Sequence, residues 1–225
     1  MDFTYYSIVG CLLAVAAGVW ILVVVAGSLP ILALDRAALE PLDAKQAEGL
    51  LAKVVSAGVV DTAWIATHNF EPTGTYRVTN MAGAPRVVAW TRSGERTYLC
   101  VYLVANLPPQ IDFMTIFERG SLVTGKSKDG QLLPNGPDHF LQTFTATTAV
   151  LWRRHEAGLK VLGAKRGLLP LATAGSLEQD FSAAVKMQAS YIRSLPLWPL
   201  RIPYWYFVRR HLRHEKPVAS RVHRS

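Results

Sequence analysis

The hydrophobic pattern divides the chain into an apolar N-terminal run and a mixed remainder. Residues 3–34 contain no charged side chain, and the run ends at Asp35. A helix of that length measures roughly 45 Å, whereas the hydrocarbon core of a bilayer is roughly 30 Å thick. We therefore predict one transmembrane helix within residues 1–36, with the aromatic pair Tyr5 and Tyr6 at one interface.

A cleaved signal peptide is the alternative interpretation of the apolar run. Such a peptide begins with a positively charged region, but here Asp2 precedes the run and no Lys or Arg does. An uncleaved anchor is therefore favoured. Lys and Arg concentrate on the cytoplasmic side of a span, and only the far flank of the run carries them, at Arg36, Lys45 and Lys53. This bias predicts a cytoplasmic C-terminal domain.

Three small residues recur every four positions within the apolar run: Gly10, Ala14 and Gly18. In a helix this spacing places them on one face, where a second transmembrane helix can approach closely. The pattern predicts packing against another membrane protein. The alternative is that it reflects only the general abundance of small residues in membrane helices.

Alternating and punctuated patterns predict a β-rich region over about residues 64–144. Two pairs of strand-like segments are separated by short turns, which is a hairpin pattern. The pairs are 85–91 with 96–104, and 112–118 with 121–127. Parallel strands need a long crossover, so these short turns predict an antiparallel meander. A loop rich in Gly and Pro follows over residues 128–140.

Helical periodicity appears on both sides of the β-rich region. The predicted helices are 42–58, with Asp43 as N-cap and Gln46 as its capping partner, 147–164, and a third that begins at Ser176 with Gln179 as its partner. His155 falls on the apolar face of the second helix, which predicts a core or interface position. Helices beside an antiparallel sheet define an α+β domain, which we assign to residues 37–195.

Residues 196–225 form an aromatic and basic tail. From Arg209 onward the chain has six Lys or Arg and one Glu, which together supply most of the net charge of +8. Aromatic side chains at headgroup level, followed by cations, favour contact with anionic lipids. The pattern predicts a membrane surface made of these residues: Trp198, Trp205, Tyr206, Arg209, Arg210 and Arg213.

Two alternatives stay open for the tail. The aromatic residues can pack on the sheet and leave the basic end solvated, or the cations can bind nucleic acid. No motif that reads RNA or DNA accompanies the charge, so nucleic acid is the least favoured partner. The three prolines of residues 195–208 argue against a second membrane crossing.

Part of the second hairpin satisfies the pattern G-x-x-x-x-G-K-S at residues 120–127. It resembles the phosphate loop of P-loop NTPases at these eight positions. The resemblance implies nucleotide binding through Gly120, Gly125, Lys126 and Ser127. A phosphate loop needs a helix that begins at the lysine, whereas the next residues here read Lys-Asp-Gly. The alternative is a hairpin strand that ends in a turn.

Other candidate chemistry is sparse. The chain has two cysteines, Cys11 in the apolar run and Cys100 in a predicted strand, so no disulfide framework is expected. The carboxylates of Asp61, Asp112 and Glu118 have no spacing that fixes them on one surface. We predict no cofactor and no metal site.

The composition, 50% hydrophobic and 18% charged, excludes a disordered or fibrous chain. Our leading hypothesis is a single-pass membrane protein that acts by interaction, as an accessory or scaffold subunit of a membrane assembly. Its expected partners are the bilayer, with its anionic headgroups, and another membrane protein. The alternative is a membrane-tethered enzyme, either nucleotide-dependent through residues 120–127 or a hydrolase of unrecognised type. The lack of a catalytic motif favours the first hypothesis.

Overall fold

A seven-stranded sheet forms the centre of the molecule. The fold is given by a computed structural model that describes residues 3–81, 83–105, 107–172 and 175–222, with side chains from Ile8 onward. The strands lie in chain order. They are β1 (Ala38–Pro41), β2 (Phe70–Thr79), β3 (Arg86–Arg92), β4 (Thr97–Leu103), β5 (Gln110–Ile116), β6 (Ser121–Gly125) and β7 (His139–Thr143).

The strand pairing confirms both predicted hairpins and adds one parallel pair. β3 pairs with β4 and β5 pairs with β6, in each case antiparallel. Gly120 has φ +94° in the turn between β5 and β6. Residues other than glycine rarely adopt this backbone conformation. β7, by contrast, runs parallel to β6. Residues 126–138 are long enough for the crossover that a parallel pair needs, so the meander prediction is wrong for this last pair.

Helices precede, interrupt and follow the sheet. They are α1 (Phe3–Ala33), α2 (Ala44–Ser56), α3 (Thr62–Thr67), α4 (Thr148–Arg166), α5 (Leu177–Ser194), α6 (Trp198–Tyr204), a π-helical turn (Trp205–Arg209), α7 (Arg210–Arg213) and α8 (Ala219–Val222). The predicted caps are confirmed, because Asp43 Oδ1 accepts from Gln46 N at 2.8 Å and Ser176 Oγ accepts from Gln179 N at 3.4 Å. Sheet and helices together make an α+β fold.

The sheet is covered on both faces. On one face α2, α3 and α4 pack over Trp90, Leu99 and Phe113. On the other face α5 packs, through Leu177 and Phe181, over side chains that include Tyr98, Cys100 and Met114. Successive side chains of β4 point to opposite faces of the sheet and so enter the two cores in turn. This explains why most of the strand is buried.

His155 of α4 lies in the first of these cores and is fully buried. Its Nε2 lies 2.8 Å from Thr115 Oγ1 and its Nδ1 lies 2.8 Å from Thr124 Oγ1. Burial lowers the pKa of His155 to about 3, so the ring is neutral at pH 7. His155 joins α4 to β5 and β6, as the predicted core position requires.

α1 is long and apolar enough to span a bilayer. Its side chains from Ile8 to Val19 are exposed, whereas Ile31, near its C-terminal end, is 3% exposed and packs with Ile192, Ile202 and Trp205. The last turns of α1 are thus part of the folded body. The side chains of Tyr5 and Tyr6, the predicted interfacial pair, lie outside the described part of the structure.

Candidate functional site

The junction between α1 and the end of the chain brings together the features that bear on function. α6, the π-helical turn and α7 run on from one another as a single segment, residues 198–213, which we call the C-terminal helix. It crosses α1 at Gly27, where an added Cβ would lie 2.5 Å from Ile202 Cγ2. Neither Gly27 nor Ile202 stands out in the sequence, because a close approach between distant segments leaves no local pattern.

α5 also holds the end of α1. Arg193 Nη2 donates to the carbonyl of Leu32 at 3.3 Å, and its Nη1 lies 3.0 Å from Asp35 Oδ2. A cation at a helix C-terminus satisfies free carbonyls and interacts favourably with the helix dipole. α1 is therefore fixed to the body by polar as well as apolar contacts.

The predicted aromatic surface residues occupy different environments. Trp205 is 4% exposed and packs with Ile31, whereas Trp198 is half-buried and Tyr206 is 43% exposed. The indole of Trp205 is covered by the protein itself. Trp205 therefore stabilises the contact between α1 and the C-terminal helix. Tyr206 is more accessible to lipid than Trp205.

The predicted surface arginines make contacts within the chain. Arg209 Nη1 donates to the carbonyls of Gln131 and Leu133 at 2.5 and 2.9 Å, and burial lowers its pKa to about 10, so it stays charged at pH 7. Arg210 Nη1 lies 2.8 Å from Asp129 Oδ1. Arg213, half-buried, lowers the pKa of Arg209 by repulsion.

The residues that follow this helix pack on β7. Glu215 N donates to Thr143 O at 2.9 Å, and Val218 N donates to Gln142 Oε1 at 2.9 Å. Val218 is 1% exposed. Through residue 222, the alternative of a basic end left in solvent is therefore wrong, because its backbone and apolar side chains complete the edge of the sheet.

The outer side of the C-terminal helix is apolar and exposed. Its side chains recur at intervals of three or four residues, so they share one helix face. They are Leu197, which directly precedes the helix, Leu200, Tyr204, Phe207, Val208 and Leu212, each more than 40% exposed. We call this set the apolar face. Patches of this kind mark sites of protein or membrane contact.

Gly10, Ala14 and Gly18 lie on the exposed part of α1. Apart from the helix itself, no described atom lies within 4 Å of the place a Cβ would take at Gly10 or Gly18. Among the residues that the structure describes, none outside α1 covers the small-residue face. On a helical wheel it points to a different side from Gly27, which faces Ile202.

Residues 120–127 do not form a phosphate loop. Ser121–Gly125 is β6, whose backbone pairs with β5 and β7 on its two sides. Gly125 lies where a Cβ would come 2.5 Å from Asp112 Oδ1, and Ser127 Oγ caps a short 3-10 turn by accepting from Asp129 N at 3.2 Å. The glycines and serine of the motif thus have structural roles in a strand and its turns.

A cleft of about 580 Å³ lies between α5 and the sheet. Asp180, 7% exposed, accepts from Arg96 Nε at 2.6 Å and from Tyr98 Oη at 2.7 Å, and also pairs with Arg96 Nη2. This carboxylate raises the pKa of Arg96, whereas burial is the main cause that raises the pKa of Tyr98. The charges of the cluster bind α5 to β4.

Ser121 and His139 meet at the border between this cleft and a smaller cavity of about 200 Å³. Ser121 Oγ lies 2.9 Å from His139 Nδ1, and burial lowers the pKa of His139. A neutral imidazole can accept the proton of a serine hydroxyl. Ser121, however, is 4% exposed, so its hydroxyl is hardly accessible to a substrate. The hydrogen bond instead links the neighbouring strands β6 and β7.

The three carboxylates considered from the sequence serve separate elements. Asp61 Oδ1 caps α3 by accepting from Ala63 N at 2.9 Å, Glu118 is exposed at the β5–β6 turn, and Asp112 lines the smaller cavity. Burial raises the pKa of Asp112 to about 7 and that of Cys100, its cross-strand partner, to about 12, which leaves the thiol unreactive. In the described ranges no three His, Cys, Asp or Glu side chains are grouped to hold a metal ion.

Fold and site together define an α+β protein with an N-terminal helix that is long and apolar enough to span a bilayer. No protein-family model, curated protein or solved structure matches the chain.

Proposed function

We propose that this protein is anchored in a bilayer by α1 and acts as an accessory or scaffold subunit of a membrane assembly. In this proposal α1 offers a partner helix its small-residue face. The globular domain is held at the membrane surface, where it presents its own surfaces to the assembly. The charge bias around α1 favours a cytoplasmic position for that domain.

The observation that carries the proposal is the joint between α1 and the C-terminal helix. Ile31 and Leu34 are buried in the body, and Gly27 contacts Ile202. Removal of α1 as a signal peptide would uncover one side of Ile202 and Trp205, which pack with Ile31 of α1 as well as with Ile192 of α5. This favours an α1 that stays in the mature protein.

The apolar face supports a position beside the bilayer. It flanks α1 near the point at which this helix would leave the hydrocarbon region, so the exposed side chains of both can share one apolar environment. Amphipathic helices with aromatic and basic residues bind at membrane interfaces. Contact of this face with lipid accounts for an exposure that would be unfavourable in water.

The enzyme alternative has weaker support. Nucleotide binding through residues 120–127 needs backbone amides that are free to meet phosphates, whereas the amides of β6 belong to a central strand. The charged groups deepest in the α5 cleft pair with one another. Nucleotide binding and hydrolysis stay predictions that the geometry does not favour.

Photocrosslinking tests the small-residue face in native membranes. A diazirine side chain placed at Ala14 is expected to give a protein adduct of one discrete mass, whereas the same group at Leu12, on the opposite side of the helix, is expected to react with lipid. Gly18→Ile should abolish the protein adduct, because a bulky side chain prevents close helix approach. The matched change Val19→Ile should leave it intact.

The outcomes are distinct. Equal adduct patterns at positions 14 and 12, or adducts that persist in Gly18→Ile, would contradict packing through this face. Recovery of a single membrane protein that depends on Gly18 would support the scaffold role and identify the partner.

A further inference from the structure

An apolar pocket of about 360 Å³ lies between the last turns of α1 and the C-terminal helix. We call it the α1 pocket. Gly27 and Ile31 of α1, with Leu34 just beyond its end, form one wall. Trp205 and Tyr206 form another, and Leu133 closes a third side. Its volume is within the range of pockets that bind small ligands. It has no sequence signature, since its lining comes from four distant segments.

The walls of the α1 pocket are held in place by polar contacts outside it. Arg209 donates to the carbonyls of Gln131 and Leu133, which fixes the loop that carries Leu133. Asn80, the polar residue of the lining, donates a hydrogen bond from Nδ2 to Arg36 O at 3.0 Å. The pocket is therefore preformed, and its one amide group is already engaged with the backbone.

The lining determines the chemistry of the ligand. A water molecule needs two to four polar partners, and the lining consists almost entirely of Leu, Ile, Pro, Gly and aromatic side chains. If the pocket were empty, the atoms of its apolar walls would lack dispersion contacts on one side. A flexible hydrocarbon chain restores these contacts and is therefore the favoured ligand. A partner helix, roughly 10 Å across, is too wide for a pocket of this size.

The position of the pocket determines the source of that chain. Leu29 and Leu32, on the same turns of α1, are exposed and would face lipid in a bilayer. Two cations contact residues of the lining. The Arg210 guanidinium, which also pairs with Asp129, lies 4.3 Å from the centre of the Tyr206 ring. Arg36, whose carbonyl accepts from Asn80, is exposed. Cations beside an apolar pocket suit a phosphate group attached to an acyl chain.

We propose that the α1 pocket binds one acyl chain of a membrane phospholipid. This inference rests on the proposed anchoring of α1 in the bilayer. A bound lipid would fill the joint between α1 and the C-terminal helix and so couple the position of the domain to the surrounding membrane.

Lipid photocrosslinking tests the proposal with the full chain in liposomes. The probe is a phosphatidylcholine that carries a diazirine on one acyl chain, in a background of phosphatidylcholine and phosphatidylglycerol. Peptide mass spectrometry should find adducts on residues 132–133 and 205–206 as well as on the exposed part of α1. Leu133→Trp, which fills the pocket, should lower the adducts on 205–206 at least fivefold. Leu29→Trp, the same residue change on the outer side of α1, should not.

A second variant guards against misfolding. Leu133→Ala widens the pocket and should keep or increase the adducts on 205–206. Adducts confined to the exposed part of α1, or equal adducts in the wild type and Leu133→Trp, would overturn the proposal. Extraction by alkaline carbonate separates the two levels of failure: release of the protein refutes the anchoring, whereas retention without pocket adducts refutes only the acyl-chain site.

Discussion

At the scale of single residues, Asp112 has the most unusual environment of the described carboxylates. It lies in β5 under α5, next to Cys100 and above Gly125, where only a glycine leaves room for its Oδ1. Burial raises its pKa from 3.8 to about 7. The folded state therefore favours the neutral acid, which links the stability of the domain to pH.

Asp112→Asn should change the pH dependence of unfolding. A carboxyl whose pKa is raised in the folded state stabilises it fully only below the unfolded pKa, and this contribution is lost as pH rises towards 7. We expect the variant to match the wild type near pH 4 and to melt several degrees higher at pH 8. Thermal unfolding of both proteins in detergent, followed by circular dichroism, measures the difference.

The exposed Glu118→Gln provides the matched control for this prediction, since it removes a carboxylate without changing a buried site. It should leave the melting temperature unchanged at both pH values. An Asp112→Asn shift of the same size at pH 4 and pH 8 would refute the assigned titration.

Residue-level signals in the sequence were informative where one local contact decides the outcome. The Asp43 and Ser176 caps could be predicted because each involves a partner three residues away. The motif at 120–127 was misleading because glycines serve turns and close contacts as well as phosphate loops. Gly125 is required because a side chain there would collide with Asp112 on the neighbouring strand. A sequence motif cannot show such a contact between strands.

At the scale of elements, the crossing of α1 and the C-terminal helix is the decisive contact. It depends on Gly27. The sequence of the partner helix gives little sign of it, because Pro199 and Pro203 lie in a helix, where proline is disfavoured. Pro199 is accommodated in the first turn of α6, where its missing N–H costs nothing. Pro203 lies one turn on, just before the π-helical turn.

A double-mutant cycle should expose this crossing. Gly27→Ala places a methyl group against Ile202 and should destabilise the protein by about 1–3 kcal/mol. Ile202→Ala should cost about 2–4 kcal/mol through the space that it opens. The double variant should be little worse than Ile202→Ala alone, which is a coupling of about 1–2 kcal/mol. Thermal unfolding in detergent gives the four values.

Gly18→Ala serves as the control for this cycle, because no described atom outside α1 lies near that position. It should keep or slightly raise the melting temperature, because alanine favours a helix more than glycine does. Additive effects of Gly27→Ala and Ile202→Ala would mean that the two helices do not meet in this way.

Elements with strong local periodicity could be predicted, and those defined by their neighbours could not. α1, α4, α5 and the two hairpins follow from apolar spacing, caps and turns. β1 is a four-residue edge strand and β7 pairs through a crossover, so each is stabilised by partners distant in the chain. The same holds for the α1 pocket, whose lining comes from four segments that are distant in the sequence.

At the scale of the whole molecule, the apolar face predicts how the domain sits on a bilayer. A nitroxide label at Phe207, with Cys11 replaced by Ala, should collide more often with oxygen, which concentrates in lipid, than with a water-soluble nickel complex. A label at the exposed Arg153 of α4 should show the reverse. Power saturation in liposomes measures both. Equal accessibility at the two positions would place the C-terminal helix away from the membrane.

The same labels report the orientation of the domain. In sealed inside-out vesicles, ascorbate does not cross the membrane, so it should rapidly reduce the nitroxide at Arg153 if the domain is cytoplasmic. Protection of that label until detergent is added would put the domain on the opposite side and contradict the charge bias of Arg36, Lys45 and Lys53.

The contact between α1 and the C-terminal helix also orders events during synthesis. α1 emerges from the ribosome before the strands of the sheet, whereas Ile202 and Trp205 emerge after all of them. Their packing against Gly27 and Ile31 must therefore wait until the sheet and α5 have been made. Until then the growing polypeptide has its sheet but lacks its closing contact, and a chain truncated before residue 198 never acquires it.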